Sequence, residues 1–233
     1  MHSGPEQIRK CLIVAKYDFY LHDSALALSN KGLEVLTTNS AAGMHDLIEQ
    51  NPDLDVIFFP HYSEIIPSEV FEKFLCIGFH TGNLPMGRGG SPIQHQILEA
   101  DYQCPISAIQ ITQSLDSGPI YLQREINLSE GTILEMLHRA SLIIASMIEE
   151  LSSGVPEPTV QVGRSETRKR LSALDSRLDF GALTDRQIYD RIRMLDGLDY
   201  PKAYIEFESL RLSLSSAEWE DMELKFIARI ERK

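Results

Sequence analysis

The chain has 233 residues, 43% of them apolar, which is enough for one large core or a core with a small appendage and too apolar for disorder. Lys and Arg number 22 against 34 Asp and Glu, a formal charge of −12 that repels polyanions and argues against a nucleic-acid partner. No apolar run approaches the roughly 20 residues of a membrane span, the N-terminal "MHSGPEQIRK" has no apolar signal core, and Cys11, Cys76 and Cys104 lack metal-ligand spacing, so the expectation is a cytoplasmic protein with buried thiols, no membrane and no metal.

In chain order, "KCLIVAKYDF" predicts a strand, and "YLHDSALALSNKG" a helix with Leu21, Ala25 and Leu28 on its apolar face and Gly32 at its end. "LEVLTTNS" predicts a second strand, "GMHDLIEQNP" a short helix, and "LDVIFFP" a strand too apolar to be half exposed. "IPSEVFEKF" predicts a helix, "LCIGFH" a strand, and "SPIQHQILEA" a helix with Ser91 as N-cap and Pro92 at its first position. "PISAIQIT" and "PIYLQREINL" read as strands flanking "QSLDSG", before a long amphipathic helix over "TILEMLHRASLIIASMIEELSSG". The alternation implies an α/β class with a Rossmann-like, mostly parallel sheet over residues 1–154. "VPEPTVQVGRSETRKR" then changes composition to Pro, Thr and charge, which marks a linker or a loop laid over the first domain. Residues 155–233 form a small C-terminal α+β extension, with a helix over "LTDRQIYDRIRML" and one or two antiparallel strands over "KAYIEFESLRLSLSSAEW", too small to be stable undocked. A monomer and a homodimer are both open.

The segment "GFHTGNLPMGRGGSPIQHQIL" carries more Gly, Pro and charge than a turn needs. It and "QSLDSG" both follow predicted strands, which would bring His80 and Asp116 to the same end of the sheet. A carboxylate beside an imidazole favours imidazolium and makes a workable proton-transfer pair. Alone, such a His and Asp read more simply as turn residues.

The string "FHTGNLPMGRGGSPIQHQI", followed at the right interval by "SLDSGPI", resembles the formyltransferase family that takes a formyl group from 10-formyltetrahydrofolate. That family includes glycinamide-ribonucleotide, methionyl-tRNA and nucleotide-sugar enzymes. His80, Leu84, Pro85, Arg88, Gly89 and Pro92 match its first motif, and Asp116, Gly118 and Ile120 its second. The resemblance implies that His80 transfers the proton and Asp116 holds it charged or oriented. It also implies that the pterin of the donor lies against Glu64, Ile65 and Ile66 and against Thr112, Gln113, Ser114, Leu115 and Asp116. The family stabilises its oxyanion with an Asn two residues before the His, where this chain has Gly78. Asn83 is the first substitute donor, with Thr81, Gln94 and His95 next. Arg88 is expected to brace the loop. The acidic balance and the "DRQIYDRIRMLDGLDYPKAY" extension point to the amine of a nucleotide-linked amino sugar as acceptor, with Tyr200 on the base and Lys202 on a phosphate. The alternatives are a non-catalytic relative, suggested by Gly78, and an enzyme acting on a ribonucleotide amine or methionyl-tRNA.

Overall fold

The computed structural model describes residues 7–197, 199–221 and 223–232. In chain order its first elements are β1 (Lys10–Ala15), α1 (Asp18–Leu28), β2 (Glu34–Thr38), α2 (Ala41–Gln50), β3 (Val56–His61), α3 (Ser68–Lys73), β4 (Leu75–Thr81), β5 (Arg88–Gly89) and α4 (Pro92–Leu98). There follow β6 (Gln103–Gln110), β7 (Ile120–Asn127), α5 (Ile133–Ser152), β8 (Thr167–Arg168), a 3-10 turn (Ala173–Ser176), α6 (Asp185–Arg193), β9 (Ala203–Phe207), β10 (Leu210–Glu220) and β11 (Glu223–Arg232). Six strands form one sheet in the order β2-β1-β3-β4-β6-β7. Strands β2, β1, β3 and β4 run parallel, and β6 runs antiparallel to β4 with Ser107 opposite His80. The architecture is thus α/β with a mostly parallel sheet.

Strands β1 and β3 read as continuous apolar runs because both their faces are covered. Cys11 to Ala15 and Val56 to Phe58 are wholly buried. Leu12, Val14, Ile57, Phe59 and Cys76 pack with Met44 of α2 and Val70 of α3, each such side chain contributing about 1.5–3 kcal/mol. Helix α1 starts at Asp18 and buries Tyr20, Ser24 and Leu28, so its inner face is turned from the expected Leu21–Ala25 stripe. Ser91 does not cap α4: its φ of 53° is left-handed, and its Oγ instead accepts from the Leu171 amide at 3.0 Å. Cys11, Cys76 and Cys104 are buried and free. Burial pushes the Cys11 and Cys76 thiols up to about 12. Among the described residues no helix is long and apolar enough to cross a membrane.

By compactness the chain forms two units interleaved along the sequence, residues 1–88, 105–126 and 138–167 in the first and residues 89–104, 127–137 and 168–233 in the second. In the second, Thr184 and Gln187 close a capping box at the start of α6, and α6 packs on β10. The strands form a sheet in the order β11-β10-β9, one strand more than the sequence led us to expect. Strand β11 alternates too, but with charges and with Ile227 and Ile230 exposed, so nothing in its composition marks a buried face.

A buried charge cluster fastens α6 to the segment around residue 130. The Arg193 side chain is 1% exposed, pairs with Asp190 at 2.7 Å, and donates to the Leu128 and Gly131 carbonyls at 2.7 and 3.0 Å. Asp190 also accepts from the Tyr102 hydroxyl at 2.6 Å and from Arg186 at 3.1 Å. Every charge here is met by an opposite charge or a carbonyl, the condition for burying it at all.

Candidate active site

Strand β4 delivers His80 from the middle of the sheet, where its neighbours β3 and β6 keep water away. The His80 side chain is 5% exposed. Its Nδ1 stands 3.4 Å from Asp116 Oδ2, and its Nε2 donates to the Gly87 carbonyl at 3.1 Å. Gly87 makes that contact from a φ of 68°, a conformation that favours glycine. Burial pushes the His80 pKa below the ordinary histidine value; Asp116 and the Gly87 carbonyl oppose the shift, and Arg88 adds to it. Asp116 does raise this pKa, as the sequence leads one to expect, but desolvation outweighs the carboxylate and the net shift is downward. A neutral ring donates from one nitrogen only, so both contacts are completed when the ring takes up a proton.

The pair forms, though not by the expected route. Because β6 runs antiparallel to β4, their following loops leave opposite ends of the sheet. The segment after β6 instead folds back along β4: Ile111 donates to the Cys76 carbonyl at 2.8 Å, its side chain lies over Gly78, and Asp116 reaches His80. Asp116 turns there with a φ of 50°. Gly118 closes the turn so tightly that a Cβ would fall 1.8 Å from the Gln110 carbonyl oxygen.

Gly78 shares a strand face with His80. A Cβ on it would lie 2.6 Å from Ile111 Cδ1, so Ile111 occupies the space an asparagine side chain would need. We expect Gly78→Asn to cost only about 0.5–1.5 kcal/mol, since the far end of the Ile111 side chain alone has to move, and Ile111→Ala in the same chain to add a loss of its own because Ile111 packs on the core cluster. Urea unfolding of the single and double variants checks it.

The other expected site residues are distributed as follows. Ile65 is 94% and Leu115 66% exposed, while Ile66 and Ile111 pack on the same core cluster beneath. Glu64, Gln113 and Ser114 are exposed, and Thr112 Oγ1 donates to the Ser114 carbonyl at 3.2 Å within its own turn. Asn83 is exposed and Thr81 buried on the loop after β4. In the second unit, Gln94 donates to the Met194 carbonyl at 3.4 Å and His95 pairs with the Lys169 carbonyl at 3.0 Å, so both already have protein partners. Lys202 pairs with Asp196, and Tyr200 is half-buried. Arg88 braces the loop as expected, donating to Gln161. Gln161 itself had no sequence signal, lying in a stretch read as a linker or as a loop laid over the first domain.

Two family models match the chain. One described as "Formyl transferase" covers residues 22–142, and one described as "Methionyl-tRNA formyltransferase, C-terminal domain" covers residues 173–231. The methionyl-tRNA formyltransferase of Ehrlichia canis is 29% identical over 192 residues, which are 78% of this chain and 60% of that protein. The chain therefore spans 60% of the length of that curated relative. The structure of a methionyl-tRNA formyltransferase from Clostridium thermocellum is 33% identical and superposes with a TM-score of 0.87 over 97% of this chain and 99% of that one. A 4-N formyltransferase from Francisella tularensis shares the fold at a TM-score of 0.65 over 97% of this chain and 98% of that one, with 16% identity. The likeness to methionyl-tRNA enzymes overturns the expected likeness to nucleotide-sugar enzymes, and with it the sugar substrate. The "DRQIYDRIRMLDGLDYPKAY" extension misled, since it lies within the matched C-terminal domain of methionyl-tRNA enzymes. Matched by a family model over half its length and by a 33%-identical structure over nearly all of it, the chain belongs to the formyl transferase family.

Proposed function

We propose that this chain moves a formyl group from 10-formyltetrahydrofolate to the α-amine of methionyl-tRNA. The 33% identity to the Clostridium thermocellum enzyme, end to end in both chains, carries the choice of acceptor. The expectation that no nucleic acid binds is withdrawn, because a net charge is a sum and a polyanion meets a patch. Residues 168–233 hold thirteen Lys and Arg against thirteen Asp and Glu, so the acidic excess lies wholly in residues 1–167. "RSETRKR" puts four basic side chains within seven residues, Arg164 to Arg170. A cytoplasmic location, where charged tRNA is used, belongs to the same reading.

The folate substrate supplies the formyl carbon and leaves as tetrahydrofolate. His80 takes the proton that the attacking amine releases as the new C–N bond forms, and returns it to the leaving nitrogen. The proton arrives from the Asp116 side, which is the more open one: the Asp116 side chain is 19% exposed and that of His80 5%. Asp116 then stabilises the imidazolium. Ile65 and Leu115, apolar and exposed on two loops seated over one core cluster, suit the flat face of a pterin. Asn83 is our candidate to stabilise the oxyanion. Asn83→Ala is expected to lower kcat about 10²-fold with KM for the folate within threefold, and steady-state kinetics measures both.

Incubation with 10-formyltetrahydrofolate and methionyl-tRNA, followed by mass analysis of the released amino acid, tests the reading. A formyl gain on methionine supports it, with a rate that falls as salt rises. Formylation of a ribonucleotide amine alone would overturn the acceptor. No transfer at all would favour a non-catalytic relative, the reading that Gly78 and Ile111 suggest.

A further inference from the structure

We infer that Gln161 is a positioning residue for the His80–Asp116 pair, an assignment that rests on the transfer role given to that pair above. Gln161 lies beyond α5, far along the chain from both, yet its amide is fully engaged between their two loops. Its Oε1 accepts from Arg88 Nε at 3.1 Å and from Arg88 Nη2 at 2.6 Å. Its Nε2 donates to the Asp116 carbonyl at 2.9 Å and to the Gly118 carbonyl at 2.8 Å.

This arrangement fixes its own orientation. A guanidinium only donates and carbonyls only accept, so the amide oxygen must face Arg88 and the nitrogen must face the turn. All the hydrogen-bonding capacity of the side chain is thereby used.

The two arms lead to the two partners of His80. Arg88 follows Gly87, whose carbonyl accepts from His80 Nε2, and the Arg88 amide is held in turn by the Glu166 carbonyl at 3.0 Å. The other arm grips the backbone of Asp116 and Gly118, where the chain turns with a φ of 50° to bring the carboxylate to Nδ1. A left-handed Asp costs the chain energy that its surroundings must offset. The Gln161 amide is a fixed strut across that turn, and it ties the turn to the loop bearing Gly87. Its effect on catalysis is geometric: Gln161 does not touch His80, but it sets where both of the ring's partners stand.

Three variants separate this role from simple packing. Gln161→Met keeps length and bulk but removes all four hydrogen bonds. Gln161→Glu keeps an acceptor for Arg88 while setting a carboxylate against the Asp116 and Gly118 carbonyls. Arg88→Met removes one arm only. We expect Gln161→Met and Gln161→Glu each to lower kcat by about 10- to 100-fold, the size associated with small misplacements of reacting groups, with KM for both substrates within threefold. Gln161→Met combined with Arg88→Met should be no slower than the slower single variant, because the residues act as one strut. A second readout needs no turnover: the His80 ring N–H resonance, protected by burial and by Gly87 in the parent, should broaden in Gln161→Met while amide shifts in the rest of the sheet stay put. Parent-like kcat in both Gln161→Met and Gln161→Glu, or an unchanged ring resonance, overturns the assignment. A parent without transfer activity whose ring resonance still broadens in Gln161→Met keeps the positioning role and sinks the transfer reading instead.

Discussion

Replacing His80 by Asn, or Asp116 by Asn, lowers formyl transfer by about 10³-fold while the chain stays folded. Proton transfer by a placed side chain is worth about 10²–10⁴-fold, and in this site the two residues form one unit, 3.4 Å apart, with His80 buried and Asp116 on its more open side. Removing His80 leaves the attacking amine with its proton. Removing the Asp116 charge leaves His80 able to accept that proton only into a buried site with nothing to balance the imidazolium. The double variant should therefore be little worse than either single one. Single-turnover kinetics reads the chemical step directly, and circular dichroism confirms the fold. Either variant retaining a tenth of parental turnover would remove the pair from the mechanism.

The largest loss of stability is expected far from this chemistry. Arg193→Met leaves the Asp190 carboxylate short of its buried partner and the Leu128 and Gly131 carbonyls short of a donor. Breaking one side of a buried pair costs about 3–5 kcal/mol. Asp190→Asn should cost a similar amount, since it leaves the Arg193 guanidinium buried without its counter-charge and one oxygen where Tyr102 and Arg193 use two. Because both changes act on one cluster, their sum should exceed the double variant by more than about 0.5 kcal/mol. Urea unfolding gives all three numbers. An Arg193→Met chain within 1 kcal/mol of the parent would mean that the cluster is better solvated than its burial implies.

Much of the sheet was legible because its physics is local. An apolar run such as "CLIVA" in β1 can only be a strand covered on both faces, and the Gly- and Pro-rich loop after His80 had to serve something other than turning. His80 and Asp116 were legible only through two gapped motifs taken together. The reversed direction of β6 was not, since a strand's residues carry its faces but not the sense in which it runs. Arg193 was hidden for a similar reason: "DRQIYDRIR" reads as a charged, solvated helix, and nothing local says that one of its arginines points inward. Gln161 was hidden because its partners lie 43 to 73 positions away. The charge misled most. A total of −12 was allowed to speak for the whole surface, although the basic side chains of "RSETRKR" were in view.

The pH dependence of formyl transfer to methionyl-tRNA tests the central claim most directly, because it asks at once whether the reaction occurs and whether His80 drives it as a base. With its pKa held below the ordinary 6.5 by burial, His80 is neutral at pH 7 and able to accept a proton. The same shift means that the unfolded chain binds this proton more readily than the folded one, so stability as well as activity falls as pH drops below about 6.5. The account predicts measurable transfer whose kcat/KM falls first as the substrate's α-amine protonates, at about pH 7.7–8, and falls more steeply below about pH 6.5 as His80 protonates, the second fall being absent from the residual rate of His80→Asn. A profile of the same shape in His80→Asn, or no transfer at any pH, would contradict it.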